Sequence, residues 1–251
     1  MPNLKWNKET WDNQYNWNLK GEEWSKPWGN SEAQWFSSLY PRVHRFLECK
    51  NILEIACGYG RWTKFLKKHA IENFRGIDLS EECIEYCRKN LRSPNVEFIL
   101  NDGKSLNDVS DKRYGFVFSF DSLVHVDPDI LNHYISQILK LLNEDGACFI
   151  HHSNFGSLIQ LGNISSEHIG YVHCRDQSAS AKNVRELVQL NGGKILCQEI
   201  IDWGGVNSLD CLTTFCKRES FPNSEEKQII NNQFFVEADN IKKVHSHYCG
   251  F

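Results

Sequence analysis

The sequence has no apolar run approaching the roughly 18 residues that would cross a bilayer, so it offers no membrane span. It also has no excess of basic residues. Lys and Arg number 28 against 32 Asp and Glu, giving a net charge of −4 and a pI near 6.2. Nucleic acids and anionic membranes need a basic face, so neither is an expected partner. The N-terminal MPNLKWNKETWDNQ lacks the apolar core of a secretory signal. Ten cysteines contain no CxxC pair. Cys57, Cys148 and Cys211 sit in or beside apolar runs and read as small core residues of a reducing compartment. A cytoplasmic location is expected. There is no internal repeat and no low-complexity tract.

What is present is a rhythm. After residue 50, short apolar runs at 51–57, 74–80, 96–102, 114–120 and 146–152 make five candidate strands. Between them, RWTKFLKKHA, SEECIEYCRKNL and DPDILNHYISQILKLLNE repeat apolar residues at the spacing of one helix face. Ser80 before Glu81 and Glu82 is an N-cap followed by first-turn acids. Pro128 stands in the first turn of the long helix, where a missing N–H costs nothing. Strands alternating with helices imply parallel pairing, right-handed crossovers and helices on both faces. That is a doubly wound α/β fold.

Beyond residue 152 the rhythm loosens. Residues 153–180 are polar and dotted with Gly and Ser, too long for an idle connection. A helix over 181–193 precedes two strand-like runs, 194–203 and 208–217, expected as an antiparallel hairpin turning at Gly204-Gly205. These bring the sheet to seven strands. The chain divides into a Trp-rich arm (1–45), a main domain (46–217) with a substrate-side insertion (153–180), and a tail (218–251) that the pattern leaves unassigned.

The most informative stretch is LEIACGYGRWT, where an apolar strand ends in Glu54, then Ala56, Gly58 and Gly60, and turns straight into a helix. Glycines there let the backbone approach a ligand and the helix pack on the strand. Asp78 ends the second strand, where an acid meets a ribose diol in such sheets. Asn101-Asp102-Gly103 ends the third, where an acid can accept from an adenine amino group. A nicotinamide site calls for G-x-G-x-x-G, but the third glycine position counted from Gly58 and Gly60 is Thr63.

Together these motifs resemble the class I S-adenosylmethionine-dependent methyltransferases, over about residues 45–217. The resemblance implies a Rossmann-like sheet closed by an antiparallel strand, S-adenosyl-L-methionine as cofactor and S-adenosyl-L-homocysteine as product. It implies that Glu54, Ala56, Gly58 and Gly60 hold the methionine moiety. Asp78, with Leu79 beside it, would bridge the ribose, and Asp102 and Gly103 would meet the adenine. Phe120, ending strand 4, completes the cofactor set. The family's first loop glycine is Ala56 here, a mild departure.

Substrate should sit at the carboxyl edge of the sheet, opposite the sulfonium. FSFDSLVHVDPD offers Asp121, His125 and Asp127 there; strand 5 ends in His151, His152 and Asn154; the insertion adds His168, His173, Arg175 and Asp176. Hydroxyl methylation needs a general base, and His suits neutral pH. The catalytic candidates are therefore His152, His151, His173, His125 and Asp121. Arg175 and Asp176 stand close enough to fix the tautomer of His173, while His125 is expected mainly to anchor backbone. Along strand 5, Cys148, Ile150 and His152 share one face, and Ala147, Phe149 and His151 the other. Because the chain turns at the strand's last residue, His152 is expected to face the pocket and His151 to lie against a helix.

Six of the eight tryptophans fall between residues 6 and 35. Flat rings with polar edges make platforms for sugars and other ring substrates. Trp6, Trp11 and Trp17 read as staples fixing a poorly apolar arm. Trp24 and Trp28, bracketing Pro27, look like a shaped lid over substrate, with Arg175 as a further substrate contact. Strand 4 ends without an adjacent acidic pair, and His245, His247 and Cys249 make a poor ligand set, so no metal is expected. The expected activity is O-methylation of a sugar or another small hydroxylated metabolite. The alternative is a protein, peptide or small-molecule N-methyltransferase. A small-molecule or glycan substrate is the expected partner.

Overall fold

The computed structural model describes residues 3–162 and 174–248. One sheet holds β1 (Cys49–Ile55), β2 (Ala70–Asp78), β3 (Val96–Leu100), β4 (Tyr114–Ser119), β5 (Leu142–Ser153), β6 (Gly193–Trp203), β7 (Val206–Lys217) and β8 (Lys227–Asn231). Their spatial order is β3-β2-β1-β4-β5-β7-β6-β8. The first five pair in parallel. β7 runs antiparallel to β5 and β6, and β8 joins β6 in parallel. The doubly wound sheet and its hairpin stand where the sequence places them. The eighth strand comes from the tail. KQIIN carries no apolar alternation and four of its five residues are exposed, so periodicity does not mark it.

From β1 the order runs outward to β2 and β3, and from β4 outward to β5. Between β1 and β4 the winding therefore reverses, opening a crevice at the strands' carboxyl ends, where ligands bind in such sheets. Ile52, Phe116, Phe118, Ala147 and Phe149 face one core, with Trp35 and Leu39 of the arm. Leu53, Ile55, Val117, Cys148 and Ile150 face the other, under the helices Pro128–Leu141 and Ala181–Leu190. Helix Pro128–Leu141 presents Leu131, Ile135 and Ile138 along one stripe. Its N-cap is Asp127, which accepts from the Ile130 N–H at 2.9 Å. The stretch 61–70, expected as a full helix, is α-helical only over Thr63–Leu66, because β2 already begins at Ala70. No helix among the described residues is long and apolar enough to cross a membrane.

Trp28 departs from its expected role as a lid. Its ring is fully buried, Nε1 donates to Ser38 Oγ at 2.8 Å, and its centroid lies 5.6 Å from Phe234 and 6.5 Å from Trp203. A large ring whose single N–H is satisfied gains most by burial, and here it ties the arm to the tail helix Phe234–Tyr248. Asp202, near the end of β6, caps that helix by accepting from Phe234 N at 2.8 Å.

Arg42 clamps the same three elements. Nε and Nη2 donate to the two carboxylate oxygens of Glu199 at 2.7 and 2.6 Å, and Nη2 reaches Glu237 at 3.2 Å. Arg42→Met leaves Glu199 nearly buried and unpaired, and is expected to lower unfolding free energy by about 3 kcal/mol. Arg42→Lys should recover less than half, since an ammonium cannot match the two-pronged geometry. Denaturant melts measure both; a loss below about 1 kcal/mol would mean that solvent screens the clamp.

Candidate active site

At the crevice between β1 and β4 lies a cavity partly open to solvent. Its floor is the turn after β1, where Ala56, Gly58 and Gly60 take φ of +57°, +53° and +80°. The glycines serve different needs. A Cβ on Gly60 would fall 2.1 Å from Leu91 Cδ1, so that glycine lets the turn pack on the end of helix Glu81–Asn90. A Cβ on Gly58 would meet nothing within 4 Å. Ala56 holds a left-handed conformation that glycine adopts without strain.

Asp78 Oδ2 accepts from Gly58 N at 2.7 Å and Oδ1 from Ser80 N at 2.9 Å, fastening the turn to the start of that helix. Burial pushes its carboxyl pKa up. Each oxygen keeps a second lone pair for a donor. Leu79, Gly103 and Phe120 also line the cavity. Glu54 lies beneath the floor, outside the lining, accepting from Thr63 Oγ1; burial raises its pKa to about 8.

Asp102 is not on the wall where adenine contact was expected. It is exposed, and Oδ1 accepts from Lys104 N and Ser105 N at 2.9 and 2.6 Å, closing its own turn. Gly103, Ile130 and Tyr134 line that end instead. The arm closes over it, with Leu4 Cδ1 2.5 Å from where a Gly103 Cβ would be.

The other end is walled by rings. Trp11, Trp17 and Trp24 come from the arm, and Tyr59, Trp62 and Phe120 from the loops after β1 and β4. Trp11 and Trp17 thus form wall as well as staple. Asp121, at φ +64°, pairs with Arg61 at 2.8 Å, and the Arg61 guanidinium lies 4.6 Å from the Trp62 centroid. His125 is buried and lines the cavity, with its ring 5.1 Å from Trp11. Its Nδ1 lies 3.0 Å from the Cys174 carbonyl. A carbonyl only accepts, so Nδ1 carries the proton and Nε2 the lone pair. Burial, aided by Arg175, pushes its pKa down to about 4. The residue anchors backbone, as expected, and also faces the cavity.

The histidines of β5 do not stand as expected. β5 continues through Ser153, which pairs with Asp210 on β7, so His152 is still inside the ladder and obeys strict alternation. His152 points away from the cavity into a buried contact with Thr213 Oγ1 at 2.8 Å, and burial lowers its pKa to about 4. His151 lies on the cavity side, but behind the wall. Its Nδ1 accepts from Asp121 N at 3.1 Å, and its Nε2 lies 3.1 Å from Asp210 Oδ2. The ring sits between Phe120 and Trp203, at 4.7 and 4.9 Å. Arg175 is no wall residue either; it is buried, donates to Asp210 at 2.7 Å and lies over Trp203. His168 and His173 lie outside the described residues. Among the described residues no group of three or more His, Cys, Asp or Glu is placed to hold a metal ion.

Residues 52–146 match a family model described as a methyltransferase domain. The chain is 25% identical over 99 residues to the phthiotriol/phenolphthiotriol dimycocerosates methyltransferase of Mycobacterium tuberculosis, covering 39% of this chain and 35% of that protein. It is 26% identical over 101 residues to the fatty-acid O-methyltransferase of Mycolicibacterium smegmatis, covering 40% and 36%. The matches thus span about a third of these curated relatives. An S-adenosylmethionine-dependent methyltransferase from Clostridium acetobutylicum has the same fold, with a TM-score of 0.55 and 16% identity over 76% of this chain and 91% of that one. The chain thus has the fold of the S-adenosylmethionine-dependent methyltransferases, and its residues 52–146 match a methyltransferase domain.

The residues of the cavity fit S-adenosylmethionine. The open face of Gly58, a carboxylate with spare lone pairs and the apolar walls around Gly103 match a ligand with an amino-acid end, a diol and a flat base. Tyr134, Ile130 and Arg61 were missed in the sequence. Tyr134 and Ile130 belong to a helix read only for its core stripe, and Arg61 stands in a glycine turn that drew attention to its glycines.

The two glycines separate by experiment. Gly60→Ala should cost about 2 kcal/mol of stability, from left-handed strain and the Leu91 clash. Gly58→Ala should cost about 1 kcal/mol from strain alone, yet weaken cofactor affinity by about tenfold or more, because the methyl enters the cavity. Melts and calorimetry read the two effects; equal cofactor affinity in Gly58→Ala and the parent would contradict the assignment.

Glu54 gives a pH test. A carboxyl near 4.3 unfolded and about 8 folded contributes stability fully present below about pH 4 and lost as pH rises through 8. Glu54→Gln stays neutral, so its melting temperature should fall less between pH 5 and 8.5 than that of the parent. Parallel pH profiles would refute the shift.

Proposed function

We propose that the protein transfers a methyl group from S-adenosylmethionine to a hydroxyl of a small molecule, with His125 as general base. One observation carries the reading. In a single cavity with Asp78 and the open face of Gly58, His125 Nε2 presents an unprotonated lone pair with no hydrogen-bond partner among the described residues. The fatty-acid O-methyltransferase among the relatives supports hydroxyl or carboxyl oxygen as the receiving atom. The sugar expected from the Trp-rich arm belongs to this class of acceptors.

In this reading Asp78 takes the ribose hydroxyls, the turn from Ala56 to Gly58 takes the amino-acid end, and Leu79, Gly103 and Ile130 flank the base. Bound S-adenosylmethionine supplies an electrophilic methyl group. The chain's own work is alignment and proton removal. The ring wall excludes water from the hydroxyl, and His125 Nε2 accepts the proton as the oxygen is alkylated, so no free alkoxide forms. The hydrogen bond from Nδ1 to the Cys174 carbonyl holds the ring in the base-competent tautomer.

His125→Ala should lower turnover by about a hundredfold while S-adenosylhomocysteine affinity stays within about threefold. Asp78→Ala should mainly weaken that affinity. With the His125 pKa near 4, the base remains unprotonated at pH 5 and above. Turnover should therefore show no acid limb near 6.5 and should fall only as pH approaches 4. Assays of S-adenosylhomocysteine release across a panel of hydroxylated acceptors measure this. Unchanged turnover in His125→Ala, or an acid limb near 6.5, would reject His125 as the base.

A further inference from the structure

We infer that the acceptor is an aromatic alcohol, a flat and weakly polar ring system carrying one hydroxyl, held between the tryptophans of the arm and the rings of the loops. The inference rests on the methyltransferase reading for the direction of the chemistry, and on the cavity itself for the shape and polarity of the acceptor.

The rings are close enough to act as a continuous surface. Trp11 lies 5.8 Å from Trp17 and 6.2 Å from Trp24; Trp17 lies 5.2 Å from Tyr59; Trp62 lies 5.6 Å from Phe120. Such faces stack flat rings well. A sugar stacks too, but it also brings several hydroxyls, and each one buried without a partner costs about 1–3 kcal/mol.

The polar groups of this wall are already engaged within the protein. Asn7 gives both amide hydrogens away, to the Asn3 carbonyl at 3.1 Å and the His125 carbonyl at 2.9 Å, and its Oδ1 accepts from Trp11 Nε1 at 3.1 Å. Trp17 Nε1 donates to the Trp11 carbonyl at 2.9 Å. Asp121 is paired with Arg61, and Ser122 Oγ donates to the Ala56 carbonyl at 3.3 Å. The Trp62 indole N–H has no partner among the described residues, but that nitrogen is buried away from the cavity. The Trp24 indole N–H and His125 Nε2 have no such partner among the described residues and are left to meet a ligand, and one donor with one acceptor suits one hydroxyl.

A carboxylate acceptor fits less well, because Arg61 is held by Asp121 and Lys20 lies over the Tyr59 and Tyr86 rings. Proton affinity points the same way. His125, pushed to about 4, is a weak base. A phenolic hydroxyl, with a pKa of about 10, gives up its proton far more readily than an alkyl hydroxyl. The balance is simple. The proton leaves to Nε2 as the phenolic oxygen takes the methyl group, the pair of the broken sulfur–carbon bond stays on sulfur, and the positive charge passes from sulfonium to imidazolium.

Calorimetry on the full chain, with and without S-adenosylhomocysteine, decides the matter using 2-naphthol, methyl glucoside and decanoate as probes. 2-Naphthol is expected to bind at least about tenfold more tightly than either of the others. Trp24→Leu should weaken naphthol binding by about tenfold and leave S-adenosylhomocysteine affinity within about threefold, whereas Trp24→Phe should keep naphthol binding close to the parent. The unchanged cofactor affinity shows that the variant is folded. Glucoside or decanoate binding as tightly as naphthol, no naphthol binding, or a Trp24→Leu variant with parental naphthol affinity would each overturn the inference. Failure of S-adenosylhomocysteine to bind would instead bring down the methyltransferase reading, and the naphthol series run without it would still decide the acceptor class.

Discussion

Asp210 is a fully buried carboxylate, and the ring-walled end of the cavity is organised around its charge. Burial alone would raise its pKa, yet the Arg175 guanidinium and His151 hold it well below the usual carboxylate range. An unpaired buried charge costs several kcal/mol, so the three groups stand or fall together. They bring together parts of the chain far apart in sequence: β7, the end of β5 and the segment after residue 174. The last link is a backbone one. His151 accepts the Asp121 N–H, and Asp121 holds a left-handed conformation that few side-chain-bearing residues adopt unaided. Phe120 and Asp121 therefore take their places on the wall from a charge that never touches the cavity.

The cavity has two halves with different origins. The cofactor half is built where the winding of the sheet reverses, from the turn after β1, the end of β2 and the loop after β3. These lie inside the stretch matched by the methyltransferase family model. The ring-walled half draws Trp11, Trp17 and Trp24 from an arm outside that stretch, and His125 is locked by the carbonyl of Cys174, also outside it. The turn and strand ends at one half of the cavity thus belong to the matched stretch, while the other half combines residues of that stretch with the arm and Cys174.

How far the sequence could be read follows from the range of the forces involved. The first five strands, the Ser80 cap, the helix start at Pro128 and the glycine turn are local patterns, and the structure has them. β8 was not legible because its residues are exposed and its place depends on pairing with β6. Trp28 and Trp24 look alike in sequence; only the packing of Phe234 against one of them makes it core. The face of β5 was misjudged for a related reason. Alternation was read correctly, but where the strand stops depends on β7, and one more paired residue, Ser153, keeps His152 in the ladder and on the far side. Asp102 was assigned to a ligand by its position after strand 3 and Arg175 by its place in the insertion; the structure shows Arg175 paired with Asp210 and Asp102 closing its own turn.

Cys174 joins the site to the outside in an unusual way. Of the described cysteines it is the one that is exposed, while burial holds the thiols of Cys83, Cys148 and Cys211 above their ordinary pKa. Thiol reagents attack the thiolate, so they favour the accessible sulfur over the buried ones. That residue's own carbonyl fixes the tautomer of His125. A fluorophore or spin label attached at Cys174 thus sits one residue's width from a ring that lines the cavity, and places a reporter beside the cavity rather than inside it.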